Sequence, residues 1–218
     1  MVDVRKTAAK FRRAIRRALG TLVAAVFALV IYGQEPKDKP KSPNSQWNAA
    51  SLATAATKGD KVALLQLNIL AVQGHSSAQF NLGSIYDFGD GTPQDPVQAV
   101  HWYTRAAEQG DSDAEYSLGR MYWGGRGIPR DASQALFWLT RAAEHGNASG
   151  QGLLGLIYFD GEGVKKDYVV AYMWNTLAAA QGVDVARKLR DALAKAMTPT
   201  QIAEAQHRAQ EWKPKTRP

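Results

Sequence analysis

The chain has no cysteine among its 218 residues. It therefore has no thiol nucleophile, no cysteine metal ligand and no disulfide, and the fold must depend on packing alone. The lack of cysteine also removes any argument about the redox state of the compartment in which the protein works.

Patterns typical of catalysis or metal binding are also missing. The four histidines are His75, His101, His145 and His207. They have no metal-ligand spacing and no evident acid partner, so we expect each to be a solvated or capping residue. Two pairs of carboxylates surround glycine turns, Asp87 with Asp90 and Asp160 with Glu162. No loop has the complete spacing of a calcium site, so we predict solvated carboxylates and no catalytic residue, metal or cofactor.

An excess of charge of one sign is missing from most of the chain. The net charge is +7, but residues 1–46 carry ten basic and three acidic groups, a net +7 by themselves. Residues 47–186 carry nine basic and fourteen acidic groups, and residues 187–218 carry eight and three. A nucleic-acid-binding domain would concentrate positive charge on one face. A mildly acidic body with a basic end therefore predicts no nucleic-acid partner.

What the chain does have is a repeat with a period of 36 residues. Glycine, leucine, tyrosine, aspartate and alanine recur in register between Gly74 and Gln181, and tryptophan recurs at Trp102, Trp138 and Trp174. A fixed period of this size predicts a solenoid in which each unit buries one face against its neighbours. We expect Trp138, in the central unit, to be buried on both sides.

Each unit is predicted to contain two helices. In the second unit Ala114, Leu118 and Tyr122 recur every four residues, which indicates one apolar face of a first helix, helix A. Glycines then end helix A, because glycine tolerates the backbone geometry of helix ends. Asp131 is predicted to cap a second helix, helix B, with a glutamine three residues later completing a capping box. Helix B should run from Ala132 to His145.

The segments on either side of the repeats are predicted to be caps. A degenerate helix pair precedes the repeats, with a bare turn at Lys58–Asp60, and a closing pair follows them, its last helix beginning after Thr198. Terminal units of a solenoid cover its exposed layers. The predicted segments are a basic segment 1–17, a signal-anchor or signal peptide 18–33, a polar linker 34–46, the degenerate pair 47–73, repeats 74–109, 110–145 and 146–181, and capping helices with a tail 182–218.

The repeat motif also resembles a known family. It reads Ala-Gln-Phe-Asn-Leu-Gly-Ser-Ile-Tyr from Ala78 to Tyr86, then Gly-Asp-Gly, Asp95, and Ala-Val-His-Trp-Tyr-Thr-Arg-Ala-Ala-Glu-Gln-Gly from Ala99 to Gly110. This pattern resembles the Sel-one-like repeat family, a relative of the tetratricopeptide repeats. The predicted fold is all-α, a right-handed α-solenoid of helical hairpins preceded by an N-terminal apolar helix. Some cysteine-rich members are credited with penicillin binding or β-lactamase activity, which we do not carry over because they have a disulfide per repeat.

The N-terminus has the order of a signal segment. Seven basic residues between Arg5 and Arg17 precede an uncharged apolar run, residues 18–32, and a polar linker with prolines follows from Gln34 to Ser45. The run of 15 residues is shorter than the about 20 of a helical span, although flanking arginines can snorkel and extend it. We predict an uncleaved anchor.

The positive-inside rule gives the orientation of this anchor. The basic N-terminus is expected in the cytoplasm and the repeats in the periplasm, since the family resemblance favours a bacterium. The alternatives are a cleaved signal that leaves a soluble periplasmic or secreted protein, with only a weak cleavage site near Gly33, and an amphipathic helix lying on the membrane. Arg12 and Arg13 also suggest a twin-arginine signal, although the rest of that motif is poor.

One surface of the repeats is the candidate binding site. In solenoids of helical hairpins the A helices line the concave wall, so residues opposite the core face of helix A form a groove. The predicted groove residues are Phe80, Tyr116, Arg120, Trp123, Leu156 and Phe159, with Ser84, Asp87 and Gly152 at the remaining positions. Aromatic residues and arginine often dominate binding energy at interfaces. The alternative is that the aromatic residues at 80 and 116 only pack between units.

These observations leave more than one function open. The leading prediction is a membrane-tethered adaptor or scaffold that binds a partner protein or peptide through the concave face, with residues 18–32 in the membrane. The alternative is a protein that binds or hydrolyses envelope polymers related to peptidoglycan. A purely architectural role is the third.

Overall fold

The computed structural model of the protein describes residues 48–216, which all belong to one unit, Trp47–Pro218. The predicted signal anchor, its orientation and the polar linker fall on residues outside that range, so they stay predictions. Among the described residues, no helix has the length and apolar character needed to cross a membrane.

Ten α-helices and no strand make up the described residues. They are α1 Ala49–Thr57, α2 Lys61–Val72, α3 Ser76–Phe88, α4 Pro96–Glu108, α5 Ser112–Gly124, α6 Ala132–Glu144, α7 Ala148–Asp160, α8 Tyr168–Ala180, α9 Asp184–Ala196 and α10 Pro199–Glu211. Helices α3 and α4 form unit 1, α5 and α6 form unit 2, and α7 and α8 form unit 3. Each helix B packs on its own helix A and on the helix A that follows. This arrangement confirms the all-helical repeat solenoid, whereas its right-handed twist stays a prediction.

The predicted helix caps are present, with one correction. Asp131 accepts hydrogen bonds from the backbone amides of Ser133, at 2.9 Å, and Gln134, at 3.0 Å, and so begins α6. The capping box expected with Gln134 is not formed, because the Asp131 amide already donates to the carbonyl of Tyr122 at 3.1 Å. Helix α6 ends at Glu144, one residue before the predicted end.

The three tryptophans that recur every 36 residues pack between helices. Trp102, Trp138 and Trp174 are only 6%, 8% and 8% exposed. Trp138 shares one apolar cluster with Leu118 of α5 and Tyr103 of α4, so it joins units 1 and 2. The predicted burial of Trp138 is confirmed.

Helix A and helix B of a unit approach closely at a glycine. A methyl group added at Gly119 of α5 would lie 2.7 Å from Cγ of Leu139 on α6, closer than carbon atoms pack. The glycines one period earlier and later, Gly83 and Gly155, face Tyr103 and Asn175 at the same position of helix B. The glycine column therefore sets the distance within each hairpin.

Helix pairs close both ends of the described solenoid, as predicted. Helices α1 and α2 precede unit 1, joined by a turn in which Gly59 has a φ of 88°. At the other end Thr198 and Gln201 form a reciprocal capping box at the start of α10. Helix α10 packs on α8 and buries Ala205 completely.

The segment after α10 folds back over the helix-B face. The Trp212 ring meets the Trp174 ring edge-on at 6.1 Å. The backbone amide of Lys215 donates to the carbonyl of Glu144 at 2.8 Å, and its ammonium group lies 2.7 Å from the Glu144 carboxylate. This tail covers apolar side chains of α8 that would otherwise face water.

Candidate functional site

The predicted groove residues lie at matching positions of the three A helices. Their spacing of four and then three residues places them on one face of each helix. We call this face the A-helix stripe; its residues are Phe80, Ser84 and Asp87 on α3, Tyr116, Arg120 and Trp123 on α5, and Gly152, Leu156 and Phe159 on α7. Most are half-buried, and Leu156 is 39% exposed. The stripe therefore combines anchored side chains with surface that a partner can reach.

Asp87 does not behave as the sequence suggests. It was expected to be a solvated turn residue, but it lies inside α3 with none of its side chain exposed. Its Oδ2 accepts a hydrogen bond from Arg120, and its Oδ1 lies 2.9 Å from Nη2 of Arg126. A buried carboxylate needs charged partners, and these come from the next unit, 33 and 39 residues away. The solvated-turn expectation for Asp87 is therefore wrong.

Arg120 is thus held in place on the A-helix stripe by its partner Asp87. Its side chain remains 31% exposed while it pairs with Asp87, and its guanidinium carbon lies 6.0 Å from the centre of the Phe88 ring. Arg126 also donates to the Asp87 carbonyl at 3.1 Å. We call Asp87, Arg120 and Arg126 the Asp87 cluster. Two guanidinium groups share one carboxylate, so this cluster keeps one unit of positive charge at the surface.

A buried tyrosine supports the cluster from below. Tyr103 of α4 is 1% exposed, and burial raises the pKa of its hydroxyl to about 12, with a further contribution from the negative charge of Asp87. Hydrogen bonds with Ser117 and Ser84 and the charge of Arg120 act in the opposite direction. Tyr103 therefore stays protonated near neutral pH and serves as a hydrogen-bonding support.

The aromatic residues of the stripe stand beside cations. The guanidinium of Arg130 lies 5.3 Å from the centre of the Trp123 ring, while the same group pairs with exposed Glu162 of the next loop. Phe159 stacks on Tyr168 at 5.8 Å, with the ammonium group of Lys166 6.0 Å from the Phe159 ring. Such contacts are attractive through the ring quadrupole.

The stripe continues into α9, which the sequence prediction missed. Helix α9 begins 36 residues after α7 and has the same length, 13 residues. It therefore places Lys188, Ala192 and Lys195 at the positions held on α7 by Gly152, Leu156 and Phe159. All three are exposed. The 36-residue spacing continues into α9 and could have revealed this extension. It is hard to see in the sequence because α9 lacks the leucine and tyrosine that recur in the other A helices.

A shallow cavity borders this end of the stripe. It has a volume of about 780 Å³ and opens between the loop after α7 and the start of α10. Its lining includes Tyr158, Tyr168, Lys165, Lys166 and Gln201. Aromatic and cationic groups thus also border this cavity, together with Asp167.

His145 has a buried acid partner that the sequence did not reveal. Glu115 of α5 is fully buried, with Oε2 2.7 Å from Nδ1 of His145 and Oε1 3.0 Å from Nε of Arg141. His145 does end α6 as its C-cap residue, but the expectation that it has no acid partner is wrong. Exposed His207 also lies 3.3 Å from Glu211. Because the Glu115, Arg141 and His145 groups satisfy one another, this cluster has the character of a structural support.

Within residues 48–216, no group of three or more histidine, aspartate or glutamate side chains is placed to hold a metal ion. The acidic residues with buried side chains, Asp87 and Glu115, are already bound to cations of the protein.

Comparison with known proteins agrees with this architecture. The Sel1 repeat model matches residues 76–111, 112–147 and 148–183. Among solved structures, a Sel1 repeat protein from Oxalobacter formigenes is 32% identical, with a TM-score of 0.62, and the match covers 78% of this chain and 74% of that one. No curated protein matches the chain.

A second solved structure extends the similarity. It is a protective antigen present in uropathogenic Escherichia coli strains and displaying an SLR fold, 32% identical with a TM-score of 0.68. The match covers 78% of this chain but spans only 38% of the antigen. Sel1 repeat proteins generally mediate protein–protein interaction as non-enzymatic scaffolds. Three consecutive repeats and a relative matched over most of its length show that the chain belongs to the Sel1 repeat family.

Proposed function

We propose that the protein is an adaptor or scaffold that binds a segment of a partner protein along the A-helix stripe. The observation that carries this proposal is the alignment of partly exposed aromatic side chains, together with Arg120, at matching positions of three successive units. In this proposal the stripe lines the concave wall of the solenoid. A continuous line of side chains suits an extended or helical partner segment.

The packing around the stripe supports a recognition role. Aromatic residues and arginine contribute most to binding energy when neighbouring groups hold them in place. Arg120 is oriented by Asp87, and Trp123 lies beneath the guanidinium of Arg130. Because these side chains are already ordered, they lose less conformational entropy when a partner binds than free side chains would.

Residues 18–32 complete the proposal as a membrane anchor. The basic, apolar and polar order of the N-terminus supports an inner-membrane span with the repeats in the periplasm. Carbonate extraction of membranes, with the intact mass of the extracted protein, tests this part. A membrane-retained protein of full mass is expected, and a shorter, freely soluble protein would favour the cleaved alternative.

In-cell crosslinking followed by affinity capture tests the binding proposal. A Trp123→Ala/Phe159→Ala variant removes two stripe rings, and Val97→Ala/Phe137→Ala removes two exposed side chains from B helices as a matched control. We avoid substituting Arg120 with an acid, because this would place a second carboxylate beside buried Asp87. We expect the control to retain a partner that the stripe variant loses. Equal capture by all three proteins would refute the proposal.

A further inference from the structure

We propose that the partner segment is acidic, with carboxylates on both sides of one or two apolar side chains. This inference rests on the proposed function and specifies the chemistry of the partner. It follows from where the protein leaves positive charge unpaired along the stripe.

The first cationic site is the Asp87 cluster. Arg120 and Arg126 share the single carboxylate of Asp87, and both side chains remain partly exposed, at 31% and 39%. The surplus positive charge contrasts with the surrounding body, since residues 47–186 carry nine basic and fourteen acidic groups. A positive site on a net acidic body is a local feature of this surface.

The second cationic site lies on α9. The arginines of α9 that lie away from the stripe form ion pairs with acidic residues, whereas the lysines on the stripe do not. Arg187 lies 2.7 Å from Asp184, and Arg190 lies 2.7 Å from Asp191, so these cations are neutralised within the helix. Lys188 and Lys195, at the stripe positions, form no ion pair with any described residue. The unpaired cations of α9 thus face the same way as the stripe.

The segment between the two cationic sites is apolar. Trp123 belongs to unit 2, and Leu156 and Phe159 belong to unit 3, directly between the Asp87 cluster and α9. Lysines 165 and 166, beside the cavity at this end, also lack an ion pair with described residues. We therefore expect acidic residues on both sides of a short apolar stretch of the partner segment.

Selection from a display library of random dodecapeptides tests the inference on the full-length chain in detergent. We expect enriched peptides to combine aspartate or glutamate with aromatic or aliphatic residues. An enriched peptide should bind about tenfold more weakly when its acids are changed to amides, and it should weaken as salt is raised.

Matched variants locate the binding site of such a peptide. Lys188→Gln/Lys195→Gln removes two exposed stripe cations without disturbing a buried group and should weaken binding about five- to tenfold. Arg187→Gln/Arg208→Gln removes the same charge from α9 and α10 away from the stripe and should leave affinity within about twofold.

The outcomes separate this inference from the proposed function. The proposal of an acidic partner would be overturned if the enriched peptides contain no acidic residues. It would also be overturned if the double lysine variant and the double arginine variant lose the same affinity for the peptide. In that case stripe-dependent capture in cells would still uphold the adaptor. A library that yields no binder, together with capture that ignores the stripe, would overturn both.

Discussion

The central unit and the units beside it fill the same pair of positions with different chemistry. The pairs, one on helix A and one just after helix B, are Gln79 with Gln109 at 2.6 Å, Glu115 with His145 at 2.7 Å, and Gln151 with Gln181 at 2.9 Å. The outer glutamines also donate to a carbonyl of the preceding helix B, at 2.9 and 3.1 Å. A glutamate cannot make that bond. The central unit instead adds Arg141 as a second partner of Glu115.

The difference shows that the repeat sets geometry and leaves charge open. The backbone places each pair within hydrogen-bonding distance, and either two amides or a carboxylate with an imidazole fit there. The same freedom appears on the stripe, where the position of Asp87 is occupied by Trp123 and Phe159 in the later units. One solenoid thus presents a different surface in each unit, as a selective scaffold requires.

Removing the tryptophan of the central unit should have the largest effect, because its buried ring packs between units 1 and 2. Trp138→Ala is expected to lower the free energy of unfolding by about 3 to 5 kcal/mol through lost burial and a cavity. Phe137→Ala, its neighbour at 50% exposure, should cost less than about 1 kcal/mol. Urea or thermal unfolding measures both. An unchanged melt for Trp138→Ala would overturn the repeat register.

Truncating the polar pair should lower the free energy of unfolding more in the central unit than in a neighbouring unit. Glu115→Ala leaves His145 and Arg141 without their carboxylate and should cost about 2 to 4 kcal/mol, somewhat less than a fully buried pair because Arg141 is partly exposed. Gln151→Ala in unit 3 breaks neutral hydrogen bonds and should cost about 1 to 2 kcal/mol. If urea unfolding shows the same loss of stability for Glu115→Ala and Gln151→Ala, the charged groups of the central unit add nothing to its stability.

Alkaline pH should distinguish unit 1, which alone has a tyrosine facing the helix-A glycine. Tyrosine in the unfolded chain ionises near pH 10, whereas burial raises the pKa of Tyr103 to about 12. Ionisation therefore favours the unfolded state as the pH rises from 10 through 12, and stability should fall by about 2 to 3 kcal/mol. Unfolding curves across this range measure the loss. Tyr103→Phe should remove most of it, and an identical loss in that variant would contradict the assignment.

Converting the central pair into the outer pair should have the smallest effect. Glu115→Gln with His145→Gln recreates the neutral pair of units 1 and 3, so the free energy of unfolding should stay within about 1 kcal/mol of the parent. Glu115→Gln alone should fall between this variant and Glu115→Ala. A loss in the double variant as large as in Glu115→Ala would show that the units differ in backbone and not only in charge.

Features set by neighbouring residues were predictable from the sequence. The helix pairs, the aspartate caps and the burial of Trp138 follow from periodicity and local geometry, and the structure confirms them. The burial of Asp87 was not predictable, because its partners Arg120 and Arg126 lie in the next unit. The pairing of Glu115 with His145 links two helices in the same way.

The extent of the stripe was also missed, for a related reason. Helix α9 lacks the leucine, glycine and tyrosine columns, since it packs as a closing helix, yet it keeps the backbone register that places Lys188 and Lys195 on the stripe. Core residues identify a repeat in sequence, whereas the surface follows the backbone. The right-handed twist and the membrane anchor stay predictions.

Site-specific photocrosslinking in cells tests the central claim most directly. A photoreactive residue replaces Leu156 on the stripe or, in a second protein, Phe137 on the opposite helix, both of which are exposed. The account predicts a crosslinked partner protein from position 156 and none from position 137. The same partner from position 137 alone would contradict the assignment of the stripe as the binding surface.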